Sequence, residues 1–114
     1  MTILYGISNC DSVKKARRWL DTQQINYRFS DFRKDGLDSD QVSLWLRELG
    51  WEALINRRST TWKALDEQDR QALSTAAAAD LITQHPTLIK RPLLQHNGQL
   101  TAGFKQADYE KIFG

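Results

Sequence analysis

The single cysteine of the chain, Cys10, lies in a sequence context that favours chemistry. An apolar run at residues 2–5 gives way at Gly6 to a polar loop that contains Cys10. Asp11 and Ser12, both frequent helix-capping residues, follow directly, and a helical pattern occupies residues 13–20. The predicted order is therefore strand, loop, thiol and helix N-terminus. Unpaired N–H groups and the helix dipole favour negative charge at that end, whether a thiolate or a bound oxyanion.

A buried structural role is the alternative for Cys10, because a lone cysteine usually behaves as a small apolar side chain. Two observations favour a reactive thiol: the surrounding loop is polar, and four cations follow closely. Asn9 and Ser12 can donate hydrogen bonds to a thiolate. The cations are expected to form mainly a solvated helix face rather than a substrate patch; they are Lys14, Lys15, Arg17 and Arg18.

The composition predicts one small globular domain without a metal or a nucleic-acid partner. The chain has 114 residues, of which 40% are hydrophobic and 26% charged, enough for an independent core. The net charge of +2 is spread evenly, so nucleic-acid binding is not expected. His85 and His96 are isolated, and one cysteine cannot form an internal disulfide. Without a signal-like segment or an apolar run of membrane-spanning length, we expect a cytoplasmic protein with no membrane contact.

The pattern along the chain predicts an α/β fold. After the first strand and helix, residues 25–30 alternate apolar and polar, which is typical of a strand, and the helical crossover favours parallel pairing. Helical patterns fill residues 39–84, with helices at 39–49, 66–73 and 75–84. They form an insert in a single domain of residues 1–114. Asn97-Gly98 predicts a hairpin turn, followed by a strand at 99–102 and a helix at 106–113. The order is βαβ, helices, ββα.

Three separated motifs resemble the arsenate reductase (ArsC) family, whose fold is thioredoxin-like. They are Tyr-Gly-Ile-Ser-Asn-Cys-Asp-Ser-Val-Lys-Lys-Ala at 5–16, Asn-Arg-Arg-Ser-Thr-Thr-Trp at 56–62 and Ile-Lys-Arg-Pro-Leu at 89–93. A Gly-Trp-Glu-Ala-Leu run at 50–54 is similar to the YffB-type branch of that family. The resemblance covers essentially the whole chain. A weaker resemblance connects the chain to the Spx regulators of the same superfamily.

The resemblance implies a thioredoxin-like mixed sheet flanked by helices, and a nucleophilic cysteine that maps onto Cys10. The oxyanion-binding arginine of the family maps onto Arg91, and the following proline, typically cis, maps onto Pro92. Lys105 lies near the position of the third arginine of the arsenate site, and a lysine cannot reproduce a bidentate guanidinium clamp.

The arginine of the central motif has three candidate positions. A gapless alignment puts Asn56 where the arsenate reductases have that arginine, with Arg57 and Arg58 directly after it. Within the YffB branch, Arg58 is the matching position, and Arg57 is expected to be an exposed neighbour.

The function implied is a glutathione-dependent thiol reductase. The thiolate of Cys10 attacks a disulfide sulfur or an oxyanion centre, and glutathione, as co-substrate, resolves the adduct because the chain has no second cysteine. The substrate would be a small-molecule or protein thiol or disulfide. Arsenate reduction is a second possibility. A redox-responsive, Spx-like regulator that binds a protein partner is a third, although Val13 stands where a Cys-x-x-Cys pair would have its second cysteine.

Overall fold

The strand at Thr2–Gly6 (β1) is an inner strand of a four-stranded mixed sheet. The computed structural model describes residues 1–114. The other strands are β2 (Arg28–Asp31), β3 (Leu93–His96) and β4 (Gln99–Ala102), and the strand order is β2-β1-β3-β4. β1 is parallel to β2 and antiparallel to β3, which is antiparallel to β4. The parallel pairing that the helical crossover predicts is therefore confirmed.

Eight helices accompany the sheet, together with a 3₁₀ turn at Pro86–Leu88. They are α1 (Asp11–Thr22), α2 (Phe32–Asp35), α3 (Ser39–Leu49), α4 (Trp51–Leu54), α5 (Thr60–Ala64), α6 (Glu67–Ala72), α7 (Ala78–Gln84) and α8 (Gln106–Phe113). None of them is long and apolar enough to cross a bilayer.

The chain divides into two compact units. The first, residues 1–35 and 91–114, contains the whole sheet with α1, α2 and α8, and the second, residues 36–90, contains α3 to α7. The organisation as one domain with a helical insert at about 39–84 stays a prediction.

The strand register brings the ends of the four strands together at one edge of the sheet. Gly6 at the end of β1 pairs with Asp31 at the end of β2, and Leu93 at the start of β3 pairs with Ala102 at the end of β4. Because β1 and β3 are antiparallel, the start of β3 lies beside the end of β1. The loop that carries Cys10 leaves β1 at this edge, which we call the Cys10 edge.

The core of the first unit lies between the sheet and the helices α1 and α8. Leu4 and Leu94 are cross-strand partners, and they pack with Ala16 and Leu20 of α1 and Tyr109 of α8. All five side chains are fully buried, and the four-residue spacing of Ala16 and Leu20 places both on one face of α1. Partly buried hydrophobic residues surround this cluster: Trp19, Ile25, Tyr27, Phe29, Phe104, Ile112 and Phe113.

The C-terminal elements of the first unit agree closely with the sequence prediction. β4 and α8 have the predicted bounds, and the turn between β3 and β4 contains Asn97 and Gly98. Both turn residues have positive φ, 50° for Asn97 and 85° for Gly98. A type I′ turn requires this combination, and Asn-Gly is the dipeptide that adopts it most easily.

The second unit is built on helices that pack around a buried apolar set. α3 packs against α7, and its predicted end at Gly50 is confirmed, where φ is +78°. An isolated antiparallel bridge between Ile55 and Ile89 joins the two strand-like segments of this unit. Its buried hydrophobic residues are Val42, Trp45, Leu54, Ile55, Leu65, Leu73, Ala78, Ile82, Leu88 and Ile89.

Several predicted boundaries are wrong. α1 begins at Asp11, so Asp11 and Ser12 lie within its first turn and do not cap it. β2 begins at Arg28 rather than at residue 25, and the sequence prediction did not include α2. α7 begins at Ala78 instead of residue 75, because residues 73–77 form turns after α6.

Candidate active site

Cys10 is the N-cap residue of α1. Its backbone is extended, with φ −136° and ψ 127°, and its carbonyl oxygen accepts the hydrogen bond of Lys14 N–H at 2.9 Å. The thiol is free, partly exposed, and makes no capping hydrogen bond. The side chain is therefore held at the end of a helix where backbone donors favour a negative charge. The flanking candidates Asn9, Ser12 and Lys14 are all exposed.

Two consecutive residues, Ile7 and Ser8, anchor the loop before Cys10. Ile7 is 4% exposed and belongs to the core, whereas the side chain of Ser8 is exposed. The backbone N–H of Ser8 donates a 3.0 Å hydrogen bond to Oδ2 of Asp31. The carboxyl end of β2 therefore holds the loop two residues before the thiol.

Asp31 is a buried carboxylate that the sequence prediction did not include. It is 5% exposed, and its Oδ1 accepts from Arg33 N–H at 2.8 Å and Lys34 N–H at 3.3 Å. Burial raises the pKa of Asp31, but the hydrogen bonds from Ser8, Arg33 and Lys34 outweigh burial, and the net pKa is lowered. A carboxylate after a strand and before a helical turn is a capping signal, and that signal was available in the sequence.

Arg91 and Pro92 lie directly before β3, so they belong to the Cys10 edge. Their peptide bond is cis, as the resemblance implies. Pro92 is buried, and its carbonyl oxygen accepts from Gly103 N–H at 2.8 Å, which links the start of β3 to the segment after β4. Arg91 is partly exposed. Lys105, the N-cap residue of α8, follows β4 and is exposed.

The central motif lies in the second unit. Asn56 accepts the N–H of Arg58 on its Oδ1 at 3.0 Å, and its own N–H donates to Leu88 O at 2.8 Å. The guanidinium of Arg57 lies 5.9 Å from the ring centroid of Trp51, a cation–π distance. Arg58 is exposed. Asn56 therefore organises the turn, and Arg57 packs on an aromatic ring of its own unit.

Trp62 also belongs to the second unit and lines a surface pocket of about 430 Å³. Its ring stacks on Trp51 at 6.3 Å, and the guanidinium of Arg70 lies 5.3 Å from the Trp62 centroid. The two indoles and the two arginines form one layered packing arrangement. This packing gives Trp62 a structural role within its unit.

These features define a thioredoxin-like domain with one cysteine at the N-terminus of its first helix and a cis-proline before the third strand. A family model described as the ArsC family matches residues 5–112. The chain belongs to the ArsC family and is related to the arsenate reductases.

Individual relatives support this assignment. A solved protein named YffB superposes with a TM-score of 0.93 at 38% identity, with 100% of both chains covered. An uncharacterised protein of Haemophilus influenzae is 42% identical over 113 residues, 99% of each chain. The global transcriptional regulator Spx of Lactiplantibacillus plantarum is 30% identical over 114 residues, 98% of this chain and 86% of Spx. The resemblance to the ArsC family, its YffB branch and, more weakly, Spx is therefore confirmed.

Proposed function

We propose that the protein is a thiol reductase in which Cys10 is the nucleophile and glutathione resolves the intermediate. The observation that carries the proposal is the position of Cys10. Its thiol is partly exposed at the N-cap of α1 and at the same sheet edge as Arg91 and Pro92. Because the chain has no second cysteine, a disulfide formed on Cys10 must be reduced by a thiol from outside.

The proposed reaction has two exchange steps. The thiolate of Cys10 attacks the glutathione sulfur of a mixed disulfide, forms a Cys10–glutathione disulfide, and releases the substrate as its thiolate. A second glutathione thiolate then attacks the sulfur of the bound glutathione. Oxidised glutathione leaves and Cys10 returns to the thiolate form. The net reaction converts the mixed disulfide to the substrate thiolate and consumes one free glutathione, which leaves joined to the glutathione of the mixed disulfide as oxidised glutathione.

Charged and backbone groups at the Cys10 edge support the binding of a peptide-like anion such as glutathione. Arg91 and Lys105 supply positive charge there, and Arg91 is our leading candidate for stabilising the thiolate. The Pro92 oxygen already accepts from Gly103 N–H, so we assign pairing with the peptide to the backbone of Arg91. A role for Arg58 in anion binding remains a prediction of the resemblance.

Mass spectrometry and alkylation kinetics test the proposal. At pH 7 we expect iodoacetamide to alkylate Cys10 faster than free glutathione, because the helix terminus favours the thiolate. Oxidised glutathione is expected to give a mixed disulfide on Cys10, and added glutathione should remove it. Cys10→Ser is the matched control and should be inactive in a coupled mixed-disulfide assay. A wild-type thiol that resists both reagents at pH 7 would exclude the proposal.

Two other functions are distinguished by simple experiments. Membership of the ArsC family supports arsenate reduction, which would release arsenite in a coupled assay containing arsenate and glutathione. The similarity to Spx supports a binding role. If Cys10→Ser complemented a deletion strain as well as the wild type does, a protein partner rather than thiol chemistry would explain the function.

A further inference from the structure

Asp31 makes contacts that its role as a helix cap does not explain. One oxygen, Oδ1, caps the short helix α2 through the N–H groups of Arg33 and Lys34. The other, Oδ2, accepts from Ser8 N–H in the loop that carries Cys10. The carboxylate therefore joins the end of β2 to the reactive loop.

The other aspartate caps of the chain have a simpler environment. Asp38 and Asp66 are exposed, and each accepts one capping N–H of its own helix, from Asp40 and Asp69 respectively. Asp31 is 5% exposed, and a carboxylate is removed from water only where hydrogen bonds compensate for the lost solvation. Capping alone does not require that burial.

The charge of Asp31 does not explain its contact with the Cys10 loop either. A carboxylate cannot stabilise a thiolate by its charge, because both groups are negative. Its contribution must therefore be geometric. Ser8 lies two residues before Cys10, and the pairing of Gly6 with Asp31 sets the carboxylate beside the point where the loop leaves β1.

We propose that Asp31 is a positioning residue for Cys10: by holding the N–H of Ser8, it keeps the loop in the one conformation that presents the thiol to its substrate. The inference rests on the proposed function for its catalytic consequence. The hydrogen bond from Ser8 N–H to Asp31, which we call the tether, does not depend on which electrophile Cys10 attacks.

Asp31→Asn separates the tether from the cap. The amide oxygen can still accept from Arg33 and Lys34, whereas the amide nitrogen then faces Ser8 N–H, donor against donor. Asp66→Asn is the matched control, because Asp66 caps α6 in the other unit. Both variants are measured for Ser8 amide hydrogen exchange, for the pH profile of Cys10 alkylation, and for the single-turnover reaction with oxidised glutathione.

We expect Asp31→Asn to speed Ser8 amide exchange at least tenfold and to slow the glutathione reaction about tenfold. The pH dependence of Cys10 alkylation should be unchanged, because the role assigned to Asp31 is geometric rather than electrostatic. Asp66→Asn should leave all three unchanged. Unchanged Ser8 exchange and unchanged turnover in Asp31→Asn would overturn the inference. A wild-type protein that does not react with oxidised glutathione would refute the proposed function, and Ser8 exchange would still decide on the tether.

A measurement on the wild type covers the case in which Asp31→Asn does not fold. The Ser8 amide proton should follow the titration of Asp31 in NMR spectra recorded as the pH falls below 3.8. A Ser8 amide that does not respond to acid would show that no tether exists.

Discussion

Gly6 illustrates how one residue controls the approach of β1 to α1. A Cβ atom placed on Gly6 would lie 2.7 Å from Cγ2 of Val13, a fully buried side chain, so one of the two elements must move. We expect Gly6→Ala to lower the free energy of unfolding by about 1–3 kcal/mol, the usual cost of overpacking a core. Urea unfolding measures the change.

The double variant Gly6→Ala, Val13→Ala is the control for that prediction. Removing the Val13 methyl groups relieves the contact, so the two substitutions should cost less together than the sum of their separate costs. Additive costs would show that the contact with Val13 does not cause the loss of stability in Gly6→Ala.

Cys10 and Asp31 differ in how far the sequence alone could indicate their roles. Cys10 was a candidate because its signals are local: a polar loop, a following helix and nearby cations. The tether of Asp31 depends on the register that pairs it with Gly6, and register is a tertiary property. Its capping signal was local, but the second partner, Ser8, lies 23 residues away in the chain.

At the scale of elements, the β3–β4 turn allows a clean test of backbone conformation. Asn97 has φ +50°, which costs an ordinary L-residue roughly 1–2 kcal/mol and costs glycine nothing. We expect Asn97→Ala to be about 1 kcal/mol less stable than Asn97→Gly in urea unfolding. Both variants lose the exposed side-chain contacts of Asn97 with Met1 and His96, so their difference isolates the backbone. Equal stabilities would contradict the assignment of the turn.

The elements predicted best are those whose signals are local and strong. α3 has an apolar face and ends at Gly50, and the Asn-Gly turn and α8 are defined within their own segments. The start of β2 was predicted poorly because a tertiary contact, its pairing with β1, decides it, whereas α2 was missed although the capping signal of Asp31 is local. The first residues of the expected β2 are outside the ladder, since pairing with β1 begins only at Arg28.

At the scale of the whole molecule, two groups connect stability to pH in opposite directions. The pKa of Asp31 is lowered, so its contribution to the free energy of unfolding is present above pH 3.8 and is lost as the pH falls below that value. Tyr109 is fully buried and its hydroxyl has no hydrogen-bond partner, and burial raises its pKa above the ordinary 10.0. Its neutral form is therefore stabilised relative to the ionised form in the folded state.

The raised pKa of Tyr109 predicts that the protein loses stability at alkaline pH. Above pH 10.0 the unfolded chain loses the Tyr109 proton while the folded chain retains it, so the free energy of unfolding falls by up to about 1.4 kcal/mol per pH unit. Tyr109→Phe should remove this contribution. At neutral pH it should be neutral or stabilising by up to about 1 kcal/mol, because an unsatisfied buried hydroxyl is lost. Urea titrations from pH 7 to about pH 11 measure both effects.

Tyr27→Phe, which removes a partly exposed hydroxyl bonded to Arg17, is the matched control and should leave the alkaline decline in place. If Tyr109→Phe is less stable at neutral pH by more than about 1 kcal/mol, the Tyr109 hydroxyl has a hydrogen-bond partner in solution. The prediction that Tyr109 causes the loss of stability at alkaline pH would then be wrong.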